Sequence, residues 1–169
     1  DLMLVAKEPN YNVDRHTVRR EMVWPEAKQA MEQERRESMN PLWQQMIMVA
    51  EAAGLDGPTD LYVTNPAKCN DGKSRWEERY DRCRAYFLRE LEAVSPEVIL
   101  LYGQHAINST FELYGLDSPS KIKEVHAQPR KASDCILVPL VHWAHAMRSG
   151  WIDRFNQELT EVVKAICSE

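Results

Sequence analysis

At 169 residues and 19.6 kDa, with 44% hydrophobic and 28% charged residues, the chain has the size and make-up of one globular domain with a true core. A formal net charge of −5 argues against indiscriminate nucleic-acid binding through bulk positive charge, while leaving room for a local basic face. No apolar run approaches bilayer length, no signal-peptide pattern opens the chain, and the 4 cysteines do not have the spacing of a small secreted disulfide framework. The cysteine usage makes a cytoplasmic location the default, with no membrane partner; a monomer is the accompanying expectation.

The first predicted strand is Leu2–Ala6. The chain starts at Asp1 within that strand and without an initiator methionine, so a preceding segment is expected. Residues 10–20 read as a polar loop carrying Asp14 and the arginines Arg15, Arg19 and Arg20. Pro25 suits the first position of a helix, and Glu26–Arg36 is rich in helix formers with a polar surround, as in a solvated insertion. A second helix starts at Asn40-Pro41, carries Leu42, Met46, Val49, Ala50 and Ala53 at helical spacing, and stops at Gly54. Leu61–Thr64 is the second strand, followed by a loop over 66–74 and a long helix over Trp76–Ala93. Ser95-Pro96 breaks that helix. The apolar run to Tyr102 suits a central parallel strand, and Gly103 turns into a short helix over Gln104–Leu113. A polar stretch from Asp117 to Asp134, basic at Lys121, Lys123, Arg130 and Lys131, precedes the fourth strand, Ile136–Val141. The last helix, Ile152–Ile166, has an apolar face of Phe155, Leu159, Val162, Val163 and Ile166. Strands alternating with helices predict a three-layer α/β/α sandwich around a short, mainly parallel four-stranded sheet in a single domain over residues 1–169.

In such a sheet ligands bind outside the carboxyl ends of the parallel strands. A carboxylate near Lys7-Glu8-Pro9, the carboxamide of Asn65 and the imidazole of His142 would then converge from distant parts of the sequence.

Four segments carry a resemblance. Leu4-Val5-Ala6-Lys7-Glu8-Pro9 is an apolar strand running into a proline turn. Tyr62-Val63-Thr64-Asn65-Pro66-Ala67-Lys68-Cys69 has the form T-N-x-x-K-C. Val98-Ile99-Leu100-Leu101-Tyr102-Gly103 is a third strand with its turn. Val138-Pro139-Leu140-Val141-His142-Trp143-Ala144-His145-Ala146-Met147-Arg148 has the form V-P-x-x-H followed by an arginine. In this order and at these separations they resemble the motifs of the uracil-DNA glycosylase superfamily, most closely its iron–sulfur, family-four branch, over nearly the whole chain. The resemblance implies a DNA partner, a base-reading Asn65, and a His142 that stabilises the departing base. It also implies Cys69 and Cys83 as the second pair of ligands to a [4Fe–4S] cluster, with the first pair upstream of residue 1. Four thiolates complete such a cluster.

The first motif departs from the branch it resembles. Where that branch has Gly-Glu-Ala-Pro-Gly, this chain has Ala6-Lys7-Glu8-Pro9-Asn10, which puts Lys7 at the glutamate position and Glu8 one residue later. Glu8 and Asp14 are both candidates for the acid that acts on water, and Lys7 is a candidate contact to phosphate or to an unusual group on the base.

The residue types also suit the chemistry. Breaking an N-glycosidic bond builds positive charge on the sugar and negative charge on the base, so the site needs an acid near the sugar and a donor near the base oxygen. An enzyme acting on a base extrudes it and reads its pairing edge, which the donor–acceptor pattern of an asparagine amide matches. Trp24 and Trp143 are candidates to stack on that base, with Trp143 also a candidate wedge; Trp43 reads as core. Arg148 and Arg15 are candidate DNA contacts, and His16, His105 and His126 carry no separate signal. The expected function is a DNA glycosylase leaving an abasic site, with uracil or a modified base as substrate. The alternative is a nucleic-acid-binding module that keeps the crevice without the chemistry, Lys7 marking the loss; a remoter option is an enzyme of small nucleotides.

Overall fold

A computed structural model describes residues 1–6, 41–68 and 74–168. The elements, numbered among these residues, are β1 (Leu2–Val5), α1 (Pro41–Ala53), β2 (Tyr62–Thr64), α2 (Trp76–Val94), β3 (Val98–Tyr102), α3 (Gln104–Leu113), α4 (Ile122–Val125), β4 (Arg130–Ala132), β5 (Cys135–Leu140), α5 (Trp143–Arg148) and α6 (Ile152–Cys167), with a single 3-10 turn at Pro58–Asp60. Lys7, Glu8, Asp14, Arg15, Trp24, Cys69 and the helix expected over Glu26–Arg36 lie outside the described residues.

The strands lie in the order β2-β1-β3-β5-β4. The first four are parallel, and β4 runs antiparallel to β5. Side chains alternate between the two faces of a strand, and here the alternation divides the core in two. Leu2, Leu4, Leu100, Tyr102, Val138 and Leu140 meet Trp43, Met46 and Val49 of α1 and Phe155, Leu159 and Val163 of α6. Met3, Val5, Ile99, Leu101 and Leu137 meet Tyr80, Phe87 and Leu91 of α2 and Ala106, Ile107 and Phe111 of α3. Both faces of β1 and β3 are thus buried, which is why their sequences are continuous apolar runs rather than alternating ones. The three layers are those expected.

The fifth strand lies within the stretch read from the sequence as polar and irregular. Arg130-Lys131-Ala132 buries only Ala132, so its pattern holds no apolar run to announce a strand. It forms because Ser133, at φ 47°, and Asp134 reverse the chain onto β5. The pairing ends early for a covalent reason. Ile136 donates to Glu97 O at 2.8 Å and Leu140 O accepts from Gly103 N at 2.8 Å, so even-numbered residues of β5 face β3 and odd-numbered ones face β4. Pro139 has no N–H to offer on that outer side. Its carbonyl instead accepts from Ala127 N at 2.9 Å, beyond the end of β4.

Candidate functional site

The chain leaves β1 for β2 on one side and then crosses to β3 on the other, so the strand order reverses between β1 and β3. In an open α/β sheet that reversal opens a crevice at the carboxyl ends. Along this edge the exits run Asn65 from β2, Ala6 from β1, Gly103 from β3 and Val141-His142 from β5. Three strand spacings separate the Asn65 and His142 exits, about 14 Å between backbones.

The exits are held by hydrogen bonds from one strand end to the next. Ala6 N donates to Thr64 O at 3.0 Å, and Gly103 N donates to Leu140 O at 2.8 Å. Gly103 has φ 86° and ψ 167°, a region almost restricted to glycine, and a Cβ placed there would lie 3.4 Å from His142 Cβ. The turn after β3 therefore passes directly beside the imidazole.

His142 occupies the N-cap of α5, and its Nδ1 accepts from Ala144 N at 3.2 Å. A neutral imidazole accepting at Nδ1 carries its proton on Nε2, so the ring is a donor there. Trp143 lies tilted against the His142 ring at 3.9 Å and meets the Tyr102 ring edge-on at 5.2 Å. Tyr102 is fully buried, and its hydroxyl has no hydrogen-bond partner among the described residues. Burial holds that phenol well above its usual titration range. Further along α5, His145 is half-buried and Met147 and Arg148 are exposed.

Asn65 is half-buried, and no described residue hydrogen-bonds its side-chain amide. The loop that carries it is anchored by a cluster no single motif residue announces. Lys68 Nζ bonds both Thr64 Oγ1 and Glu90 Oε2, Thr64 Oγ1 donates to Glu90 Oε2 at 2.7 Å, and the ammonium lies 5.6 Å from the centre of the Phe87 ring. The motif lysine thus ties the residues flanking Asn65 to α2. Glu90 was missed from the sequence because its partners lie more than twenty positions away on another element; the lysine inside T-N-x-x-K-C was the available signal.

Of the proposed cluster ligands, Cys83 is buried on the first half of α2. Cys135 is buried at the start of β5 against the Tyr114 hydroxyl, and Cys167 is exposed at the end of α6. Among the described residues no group of three or more His, Cys, Asp or Glu is placed to hold a metal ion. Nor is any described helix long and apolar enough to cross a membrane.

The model of the Uracil DNA glycosylase superfamily matches residues 18–165. Among curated proteins, the type-4 uracil-DNA glycosylase of Archaeoglobus fulgidus is 37% identical over 60 residues, covering 34% of this chain and 30% of that protein. The type-4 uracil-DNA glycosylase of Sulfurisphaera tokodaii is 24% identical over 116 residues, covering 66% of this chain and 52% of that protein. The matched region thus spans about half or less of the length of these relatives. They are of the type that the four motifs resemble, and the family match extends through the β2, β3 and β5 exits. The chain belongs to the uracil-DNA glycosylase superfamily.

Proposed function

We propose that this chain is the catalytic domain of a DNA glycosylase that takes a base out of the stack and hydrolyses its N-glycosidic bond, with uracil as the leading substrate. One observation carries the reading above the family name. His142 accepts at Nδ1 and so offers a donor at Nε2, at the same sheet edge as an Asn65 amide that no described residue hydrogen-bonds. Asn65 would pair with the edge of the extruded base, offering both a donor and an acceptor. As the C1′–N bond breaks, its electron pair leaves with the base, and His142 Nε2–H would donate to the base oxygen on which that charge collects. The sugar cation left behind takes up water at C1′. Glu8 or Asp14 would position that water, and its proton passes to solvent or to the base. Trp143 or Trp24 would stack on the base, while Arg148, Arg15 and Lys7 would meet phosphates of the DNA.

The type-4 relatives support a [4Fe–4S] cluster in the whole protein, with Cys69 and Cys83 as two of its thiolate ligands and two more upstream of residue 1. Such a cluster would fix the loop after β2 relative to α2, and no step of the reaction runs through it. A soluble monomeric enzyme of the cytoplasm is the accompanying proposal.

The test is single-turnover excision on a duplex carrying one uracil, read by alkaline cleavage at the abasic site and repeated with modified cytosines. Product from either supports the reading, and the better substrate names the base. Asn65→Asp keeps the shape but loses both amide donors, so excision should fall about a hundredfold. Lys7 favours a second reading, a DNA-binding module without activity. Duplex binding with no abasic product from any base would establish that one instead.

A further inference from the structure

We propose that His126 is a positioning residue for His142, acting through the backbone of Val141. This deepens the glycosylase reading and rests on it for the catalytic part.

The need for such a residue begins at Pro139. Outward-facing positions of β5 would ordinarily be served by β4, but the proline removes the donor at 139 and β4 stops short of it. The next outward donor is Val141 N–H, immediately before His142. Nothing in the ladder reaches it. His126 does: Val141 N donates to His126 Nδ1 at 3.2 Å, while the neighbouring Ala127 N satisfies Pro139 O at 2.9 Å. Ala127 adopts φ 54° to make this possible, a conformation rarely taken by a residue with a Cβ. The two bonds continue the pattern of a strand pair with a side chain as the last rung.

The ring doing this is itself fixed on every side. Its side chain is 6% exposed. It stacks on Phe155 at 5.2 Å and 13° and meets Trp151 edge-on at 5.4 Å. Nε2 lies 3.3 Å from Glu158 Oε2, close but poorly aligned for a hydrogen bond, and Arg154 holds that carboxylate from the other side at 2.8 Å. Accepting at Nδ1 requires the neutral tautomer with its proton on Nε2, facing Glu158. The arrangement therefore transmits the position of α6 to the residue preceding His142. From the inner side, Gly103 N holds Leu140 O at 2.8 Å, so the exit of β5 is clamped on both edges.

Two substitutions separate positioning from mere packing. His126→Phe keeps an aromatic ring on Phe155 and removes the acceptor. His126→Asn removes the ring and keeps an acceptor oxygen near the place of Nδ1. Nitrogen-15 NMR of the free protein should show His126 neutral with Nε2 protonated, and the Val141 amide slow to exchange. In His126→Phe the Val141 amide should exchange at least about tenfold faster and the His142 ring resonances should move. On a uracil-containing duplex its kcat should fall about ten- to a hundredfold, with KM within about twofold, as expected for a displaced catalytic group. His126→Asn should recover most of that loss. A His126→Phe protein with unchanged His142 resonances and kcat overturns the proposal, and so does a His126→Asn protein equally impaired. Should His126→Phe fail to fold, the parent decides: a proton found on Nδ1 overturns the proposal, and one on Nε2 with a protected Val141 amide supports it. If the parent protein excises no base, the glycosylase reading falls while the NMR still decides the coupling between the two histidines.

Discussion

Replacing Gly103 by alanine tests how closely the turn after β3 is fitted to His142. The new Cβ would lie 3.4 Å from His142 Cβ and 3.6 Å from Cδ2, close to ordinary contact, so overlap alone costs little. The main cost is the backbone, because φ 86° with ψ 167° is essentially closed to a residue with a side chain. Holding alanine there costs about 1–3 kcal/mol. At roughly 2–4 °C per kcal/mol for a chain of this size, the melting temperature should drop by about 2–12 °C. Because the added methyl group would already touch the imidazole, a turn that relaxes shifts the packing around His142, so the excision rate should fall as well. Gly115→Ala is the control: it also has positive φ, at +67°, but nothing lies within 4 Å of its added Cβ. That variant should lose stability and keep its rate. Circular-dichroism melting and single-turnover excision on a uracil duplex give both readings. If Gly103→Ala melts with the parent, the strain argument fails. If both alanine variants lose the same activity, the contact with His142 has no special consequence.

Other expectations follow from the same geometry. His142→Ala removes both the donor and the cap of α5, so excision should fall about a hundred- to a thousandfold, with about 1 kcal/mol of stability lost in urea denaturation. Lys68→Met leaves Glu90 and Thr64 without their cation; because the pair is 28% and 29% exposed, the loss should be modest, about 1–2 kcal/mol by thermal melting. Burial holds the pKa of His126 below the usual 6.5, with Arg154 adding to this and the Glu158 carboxylate opposing it. A group depressed on folding contributes stability that is complete above its unfolded value and is lost as pH falls from 6.5 toward the lower folded value. Urea midpoints measured from about pH 7.5 down to about pH 5 should decline over that window, less steeply in His126→Asn; equal slopes in the two proteins would contradict the assignment.

The parts of this fold that could be read from the chain are those where one-dimensional pattern and three-dimensional burial coincide. Val98-Ile99-Leu100-Leu101-Tyr102 is buried on both faces, and a run of large apolar side chains is the only pattern that satisfies both layers. The stop at Gly54 and the break at Ser95-Pro96 were equally visible, since each follows from local backbone chemistry. β4 was not, because an edge strand of two exposed basic residues and one alanine looks like a loop. In the site, Asn65 and His142 stood out because strand exits fall at the ends of apolar runs. His126 carried no signal: what makes it useful is a backbone N–H fifteen positions away, freed by a proline. Lys7, Glu8 and Asp14, on which the choice of acid rests, fall outside the described residues.

The outer margin formed by β4 has a consequence for how the protein behaves in a crowd of its own copies. A row of unpaired amides along a long, flat strand is an invitation to aggregate, and proteins blunt such margins with charge, shortness and proline. Here all three occur together: three residues, Arg130 and Lys131 exposed on them, and an imino acid in the strand just inside. The same margin of a neighbouring molecule finds like charge and too few rungs to zip onto, so raising the protein concentration should not pair these margins into fibrils.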